Sequence, residues 1–128
     1  MDNQRFESGL KTLQEIDGDA GKKVIESLAS ISPDLAKYTI EFPFGDIYQR
    51  PGLSLKKREL ATVAALTALG NCQPQLKVHI NGALNVGCTP KEITEVIIQM
   101  AVYAGFPAAL NGMFVAKDVF TEHSIIRP

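Results

Sequence analysis

Apolar residues recur along this chain at spacings of three and four, the pattern of amphipathic helices, and strand-like alternation is scarce. Ser32-Pro33-Asp34 is a helix start, with a capping hydroxyl, a proline at the first helical position and an acid in the first turn. We expect this helix to run through LAKYTIEF and to break at Pro43, because proline lacks the N–H that a helix interior uses. The segment FGDIYQRPG then leads to a turn at Pro51 and Gly52.

Glycines bound the next two predicted helices. Ser54 can cap the segment LKKRELATVAALTAL, which ends at Gly70. Pro74 opens the segment QLKVHINGALNV, which ends at Gly87.

The segment that follows, through about residue 104, carries the strongest helix signal. Thr89 to Glu92 fits a capping box, with proline at the first helical position. One stripe of this helix is apolar and consists of Ile93, Val96, Ile97 and Met100. Ile98 and Val102 are apolar on other faces, so the helix needs more cover than so small a domain supplies. We expect packing between subunits to supply that cover.

A last helix is expected from Pro107 to about Thr121, and the first forty residues should add one or two amphipathic helices. No repeat, low-complexity tract or linker divides the chain, and its 128 residues are the common size of one domain. The sequence therefore predicts an all-α fold, with residues 1–128 forming a single domain of about six helices.

Charge and composition exclude several classes of partner. The net charge of −1 gives no reason to expect nucleic acid or an anionic membrane as partner. No apolar stretch is long enough to span a bilayer, and Met1 is followed by the polar run DNQRFES where a signal peptide would have an apolar core. We therefore expect a cytoplasmic protein.

The cysteines and histidines are too few for a structural metal or disulfide framework. Cys72 and Cys88 do not form a CxxC pair, and neither predicts a disulfide. His79 and His123 are far apart, which does not match the ligand spacing of a zinc site. We expect no bound metal.

Two long segments resemble the carboxymuconolactone decarboxylase family, which includes the alkylhydroperoxidase D-like proteins. They are FGDIYQRPGLSLKKRELATVAALTALG and QLKVHINGALNVGCTPKEITEVIIQMAVYAGFPAALNGM, within residues 41–113. The resemblance implies an all-helical fold, no metal or organic cofactor, and a symmetric homo-oligomer, often a hexamer built from three dimers. Such an assembly would cover the apolar helix at 90–104.

The family contains two chemistries, and one departure from its motifs favours the first. One branch decarboxylates a carboxylated muconolactone in the degradation of aromatic compounds. The other, with peroxiredoxin activity, reduces peroxides with an upstream glutamate and two cysteines that lie seven and four residues before a histidine. Those positions are Cys72 and Gln75 ahead of His79, so the second thiol is missing. Because a dithiol cycle needs a resolving thiol, this pattern favours the decarboxylase-like branch.

The resemblance identifies His79 and Glu59 as candidate catalytic residues. A histidine suits a general acid or base near neutral pH, and a carboxylate facing it could orient its ring. The alternatives are a histidine bonded to a backbone carbonyl and a glutamate paired with Arg58 or Lys56. The spacing of Glu59 from His79 is one residue longer than in the peroxidase pattern, which implies a small insertion near Asn71.

Other candidate residues are weaker. Cys72 precedes a helix start that would favour a thiolate, although a structural cysteine fits as well. Arg50 and Arg58 could each hold a substrate carboxylate with two parallel bonds, or form surface ion pairs. Tyr103 and Phe106 could wall an apolar cleft, or belong to the core.

Cys88, between a helix end and the capping threonine, reads as a packing residue.

Three functions follow from these candidates. The first is a carboxy-lyase acting on a small carboxylated lactone or related cyclic acid. The second is a thiol peroxidase that uses Cys72 and an external thiol. The third is an oligomeric binding protein without turnover.

Overall fold

In the computed structural model of the protein, residues 3–125 are described, and they form seven α-helices and one π-helix. The helices are α1 (Gln4–Asp17), α2 (Ala20–Leu28), α3 (Pro33–Ile40), α4 (Leu55–Leu69), α5 (Gln73–Asn85), α6 (Pro90–Ala104) and α7 (Phe106–Glu122), and the π-helix (Glu41–Ile47) follows α3. No strand occurs in residues 3–125, so the all-α prediction is confirmed, with one α-helix more than the predicted six. No helix in this range is long and apolar enough to cross a membrane.

The chain divides into two compact units, one ending at Leu55 and the other beginning at Lys56. The division falls at the first residue of α4. The single domain over residues 1–128 therefore stays a prediction.

The first unit is organised by the close packing of α1 on the π-helix. A Cβ on Gly9 would overlap the carbonyl oxygen of Ile40, and a Cβ on Gly45 would overlap that of Arg5. Both positions therefore need glycine. Arg5 also donates two hydrogen bonds to Asp46, at 3.1 and 2.7 Å, and this pairing lowers the pKa of the Asp46 carboxyl.

The predicted helix break at Pro43 is wrong. The capped start at Ser32 is present, with its hydroxyl accepting from Leu35 N–H at 3.2 Å, but α3 passes into the π-helix, which continues through Pro43. In a regular helix the proline ring clashes with the carbonyl four residues back, and the wider π turn shifts that register. Tyr48 N–H donates to the Pro43 carbonyl at 2.7 Å, five residues back.

The second unit consists of α4 to α7 around one apolar core. The buried members are Val63, Leu76, Ile80, Ala83, Cys88, Ile93, Ile97, Val115, Ala116, Val119 and Phe120. The predicted glycine ends are confirmed, since Gly70 and Gly87 have positive φ after α4 and α5. Gly105, with φ +93°, separates α6 from α7, which pack against each other. Helix α5 begins at Gln73, one residue before the expected proline, with Cys72 as its N-cap.

The start of α6 confirms the predicted capping box. Glu92 N–H donates to the Thr89 hydroxyl at 3.0 Å, and Thr89 N–H donates to the Glu92 carboxylate at 2.9 Å. The hydrogen bond from Thr89 N–H lowers the pKa of the Glu92 carboxyl most, and the hydrogen bond from Lys56 lowers it further. Of the predicted stripe, Ile93 and Ile97 are fully buried.

One face of the second unit is apolar and exposed. We call the exposed apolar face the set formed by Ile98, Val102, Tyr103, Phe106, Leu110 and Phe114, which are 52–78% exposed. Its three α7 members are spaced by four residues and therefore share one side of the helix. Tyr103 and Phe106, at 78% and 72% exposure, do not belong to the core of this chain, so that alternative is wrong.

Candidate active site

The second unit brings Glu59 and His79 together. Glu59 lies one turn into α4 on a buried stripe with Val63 and Thr67, at spacings of four residues. His79 lies on α5 between the buried residues Leu76 and Ile80. Both helices contribute residues to the same apolar core, and their side chains Glu59 and His79 are in contact.

One ring nitrogen of His79 lies within hydrogen-bonding distance of both carboxylate oxygens of Glu59. The His79 Nδ1 atom is 3.0 Å from Glu59 Oε1 and 3.2 Å from Oε2. The Glu59 side chain is fully buried and the His79 side chain is 18% exposed. A carboxylate only accepts, so we assign the proton to Nδ1, which donates to Glu59. His79 is therefore paired with a carboxylate, and the alternative of a histidine bonded to a backbone carbonyl is wrong.

This arrangement leaves the second ring nitrogen available. His79 Nε2 makes no hydrogen bond to any residue in the described range 3–125. With Nδ1–H held by Glu59, Nε2 carries the lone pair of the neutral ring and the second proton of the charged ring. The pair can therefore accept or deliver a proton at one defined atom.

The sequence offered Lys56 as a partner of Glu59, but Lys56 pairs with Glu92 instead. Its ammonium lies 3.2 Å from the Glu92 carboxylate, between the starts of α4 and α6. The Lys56 carbonyl accepts from the Cys88 thiol at 3.4 Å. Burial raises the pKa of Cys88 to about 11, with further contributions from the Glu92 and Glu59 charges. Cys88 is thus the packing residue that was predicted.

Cys72 lies away from the pair. It precedes His79 by seven residues, roughly 10 Å along the axis of α5. Its partly exposed thiol donates to the side-chain oxygen of Asn71 at 3.3 Å. Arg58 is half-buried beside Glu59 on α4. Arg50 is exposed and belongs to the first unit.

One cavity of the second unit lies elsewhere. It measures about 460 Å³, lies between α6 and the end of α7 beside Phe120 and Lys117, and is not lined by Glu59 or His79. Among residues 3–125, no cluster of three or more His, Cys, Asp or Glu side chains could hold a metal. We locate the candidate site on the buried pair, because its geometry supports proton transfer and the cavity holds no such pair.

Comparison with known proteins decides the family. Residues 33–118 match the family model described as "Carboxymuconolactone decarboxylase family". The chain belongs to this family. The match includes α4, α5 and α6 and therefore both members of the buried pair. It is also wider than residues 41–113, over which the sequence alone showed the resemblance.

Three relatives are similar to this protein over most of the chain. A 4-carboxymuconolactone decarboxylase of Acinetobacter baylyi is 34% identical over 97% of this chain and 92% of its own length. An uncharacterized 15.0 kDa protein of Paracoccus denitrificans is 33% identical over 77% of this chain and 74% of its own. The nitrosuccinic acid decarboxylase npaB of Metarhizium robertsii is 29% identical over 91% of this chain and 82% of its own.

Sequence reasoning missed one residue of the same helix face. Thr67 is fully buried two turns after Glu59, and no motif pointed to it. The spacing of four residues from Glu59 through Val63 to Thr67 was the available signal, since it places all three on one side of α4.

Proposed function

We propose that this protein is a carboxy-lyase that removes carbon dioxide from a small carboxylated lactone or a related acid in the degradation of aromatic compounds. Family membership and two relatives named as decarboxylases support this class of reaction. The observation that carries the proposal is the buried Glu59–His79 pair, with Nδ1 bound and Nε2 available.

The chemistry follows from the electron balance of decarboxylation. Breaking the bond between carbon and the carboxylate leaves the electron pair on the substrate as an extended enolate, and carbon dioxide departs. The charged His79 delivers its Nε2 proton to a carbon atom of the enolate. Solvent later restores the proton to the ring. Glu59 keeps Nδ1 protonated, so that transfer always occurs at Nε2.

Three further side chains have proposed roles in substrate binding. The guanidinium groups of Arg50 and Arg58 would hold substrate carboxylates with paired hydrogen bonds. Tyr103 would wall an apolar side of the site. Because Tyr103 is 78% exposed in one chain, a neighbouring copy is needed to enclose that part of the site.

We also propose that residues 1–128 act as one domain, in a cytoplasmic homo-oligomer that takes a small-molecule substrate. The second candidate function is a peroxidase reaction at Cys72, which the partly exposed thiol at the start of α5 favours. Gln75, where a resolving thiol would be needed, makes a dithiol cycle unfavourable.

The test is a substrate comparison on the purified protein. Carbon dioxide release is measured with 4-carboxymuconolactone and with nitrosuccinic acid, and peroxide consumption is measured with a dithiol donor. We expect release of carbon dioxide from at least one acid and slow consumption of peroxide. Rapid peroxide turnover that is lost in Cys72→Ser, with neither acid decarboxylated, would establish the second candidate instead.

A further inference from the structure

The hydroxyl of Thr67 is a buried polar group that the proposed reaction does not use. Thr67 is 1% exposed, and its Oγ1 atom makes no hydrogen bond to any residue in the described range 3–125. Other threonines in helices donate to a carbonyl about one turn back, namely Thr39, Thr62, Thr94 and Thr121. Thr67 does not use this common partner. Since buried polar groups are nearly always hydrogen-bonded, its hydroxyl calls for another partner.

Thr67 lines a small cavity between α4, the start of α5 and α7. Its volume is about 10 Å³, which is close to the smallest room that one water needs. Gly112 brings the α7 backbone against the threonine, because a Cβ there would lie 3.1 Å from Thr67 Oγ1 and 2.8 Å from its Cγ2. Because α7 packs so closely on Thr67, the cavity has room for a molecule no larger than one water.

The wall of the cavity offers the partners that a water requires. Besides Thr67 its lining residues include Cys72, Gln73 and Asn111, whose side chains carry a thiol and two amides. An enclosed water needs two to four polar partners, and these groups can supply them. No charged side chain lines the cavity, so an ion has no counter-charge there.

We propose that this cavity binds one water molecule, which hydrogen-bonds to Thr67 Oγ1 and links α4 to the start of α5 and to α7. Thr67 shares its buried stripe of α4 with Val63 and Glu59. The bound water therefore supports the helix face that presents Glu59 to His79. The proposal does not depend on which reaction the pair performs.

A high-resolution crystal structure of the wild-type protein tests the proposal directly. We expect a density peak for one water within hydrogen-bonding distance of Thr67 Oγ1 and of one further group on the cavity wall. The Thr67→Ser variant keeps the hydroxyl and should show the same peak. A cavity that is empty in both structures would overturn the proposal.

Unfolding measurements give a second test, because the unfolding equilibrium constant of Thr67→Val should rise if the cavity holds a water and should not rise if it is empty. Thr67→Val removes the hydroxyl and its bond to the water, and should raise the unfolding equilibrium constant roughly tenfold. Thr121→Val is the matched control, because that exposed hydroxyl bonds only to its own helix, at Lys117 O. If the cavity is dry, Thr67→Val removes an unsatisfied group, and an unchanged or lowered constant would refute the water site. Should Thr67→Val fail to fold, the density in the Thr67→Ser crystal decides.

Discussion

At the scale of single residues, the two thiols of the protein lie in opposite surroundings. Cys88 is buried in the core of the second unit and donates to the Lys56 carbonyl, and burial raises its pKa to about 11. Cys72 is partly exposed at the N-cap of α5. Because the thiolate is the reactive form, the folded protein should distinguish the two residues.

Alkylation of the native protein measures this difference. At pH 8 only about one Cys88 side chain in a thousand is a thiolate, as follows from its pKa of about 11. Iodoacetamide should therefore add one group to the folded protein, on Cys72, and a second only after unfolding in denaturant. Peptide mass spectrometry locates the groups. Equal labelling of both cysteines in folded protein would contradict the burial of Cys88.

Individual residues were predictable where a local pattern or the family resemblance identified them. The partnership of Glu59 and His79 came from the resemblance, while the complete burial of Glu59 depends on the core that the helices of the second unit share, which spacing does not encode. Lys56 was wrongly offered as a partner of Glu59, since the sequence does not show that Glu92 comes closer. The exposure of Tyr103 could not be predicted, because helical spacing does not show which side of α6 the core of the second unit leaves uncovered.

At the scale of elements, the start of α6 depends on a few atoms of the capping box. Thr89→Ala removes the hydroxyl that accepts from Glu92 N–H. Loss of such a cap typically lowers the free energy of unfolding by about 0.5–2 kcal/mol. Urea unfolding at pH 7 checks this value, and Thr89→Ser, which keeps the cap, serves as the control. Wild-type stability in Thr89→Ala would show that the packing of α6 makes the cap dispensable.

The Glu92 carboxylate should make the stability of this element depend on pH. Its pKa in the folded protein is lowered from 4.5, so its contribution is fully present above that value and is lost as pH falls through the folded pKa. The stability difference between wild type and Glu92→Gln should therefore be largest near neutral pH and shrink below pH 4.5. Denaturant unfolding of both proteins across this range provides the comparison. A difference that grows on acidification would contradict the assigned sign.

Elements defined by local chemistry were predicted best. The cap at Thr89 and the glycine ends after α4 and α5 follow from backbone bonding within a few residues. The passage of the chain through Pro43 was missed, because a π turn is rare and is stabilised by packing on α1, which brings Gly9 and Gly45 close to the opposing backbone. That contact joins residues distant in sequence.

At the scale of the whole molecule, the exposed apolar face requires an explanation. Its six members, from Ile98 to Phe114, are apolar side chains more than half exposed on adjacent helices of one unit. Patches of this kind mark interaction sites. A second copy of the chain is the occupant that the family resemblance implies, in a symmetric assembly.

We therefore predict a stable oligomer, most simply a hexamer of the 13.9 kDa chain, in light scattering at micromolar concentration. The double substitution of Val102 and Leu110 to lysine should shift the protein to smaller species, because charged groups resist burial in the interface. Glu26→Lys, an exposed position on α2 of the first unit, adds the same charge as the double substitution and is the matched control, which should leave the assembly intact. A wild-type monomer would show that the face serves another purpose.

The central claim is that His79 transfers the proton in decarboxylation with Glu59 as its positioning residue. The most direct measurement is the kcat of His79→Gln on the acid that wild type decarboxylates, with circular dichroism and size exclusion as folding controls. We predict a loss of about 100- to 10,000-fold with fold and assembly retained. Glu59→Gln should lose less, because the amide oxygen can still accept the Nδ1 proton, and His123→Gln, the control at the other histidine, should stay active. Wild-type turnover in His79→Gln, or loss only through unfolding, would contradict the claim.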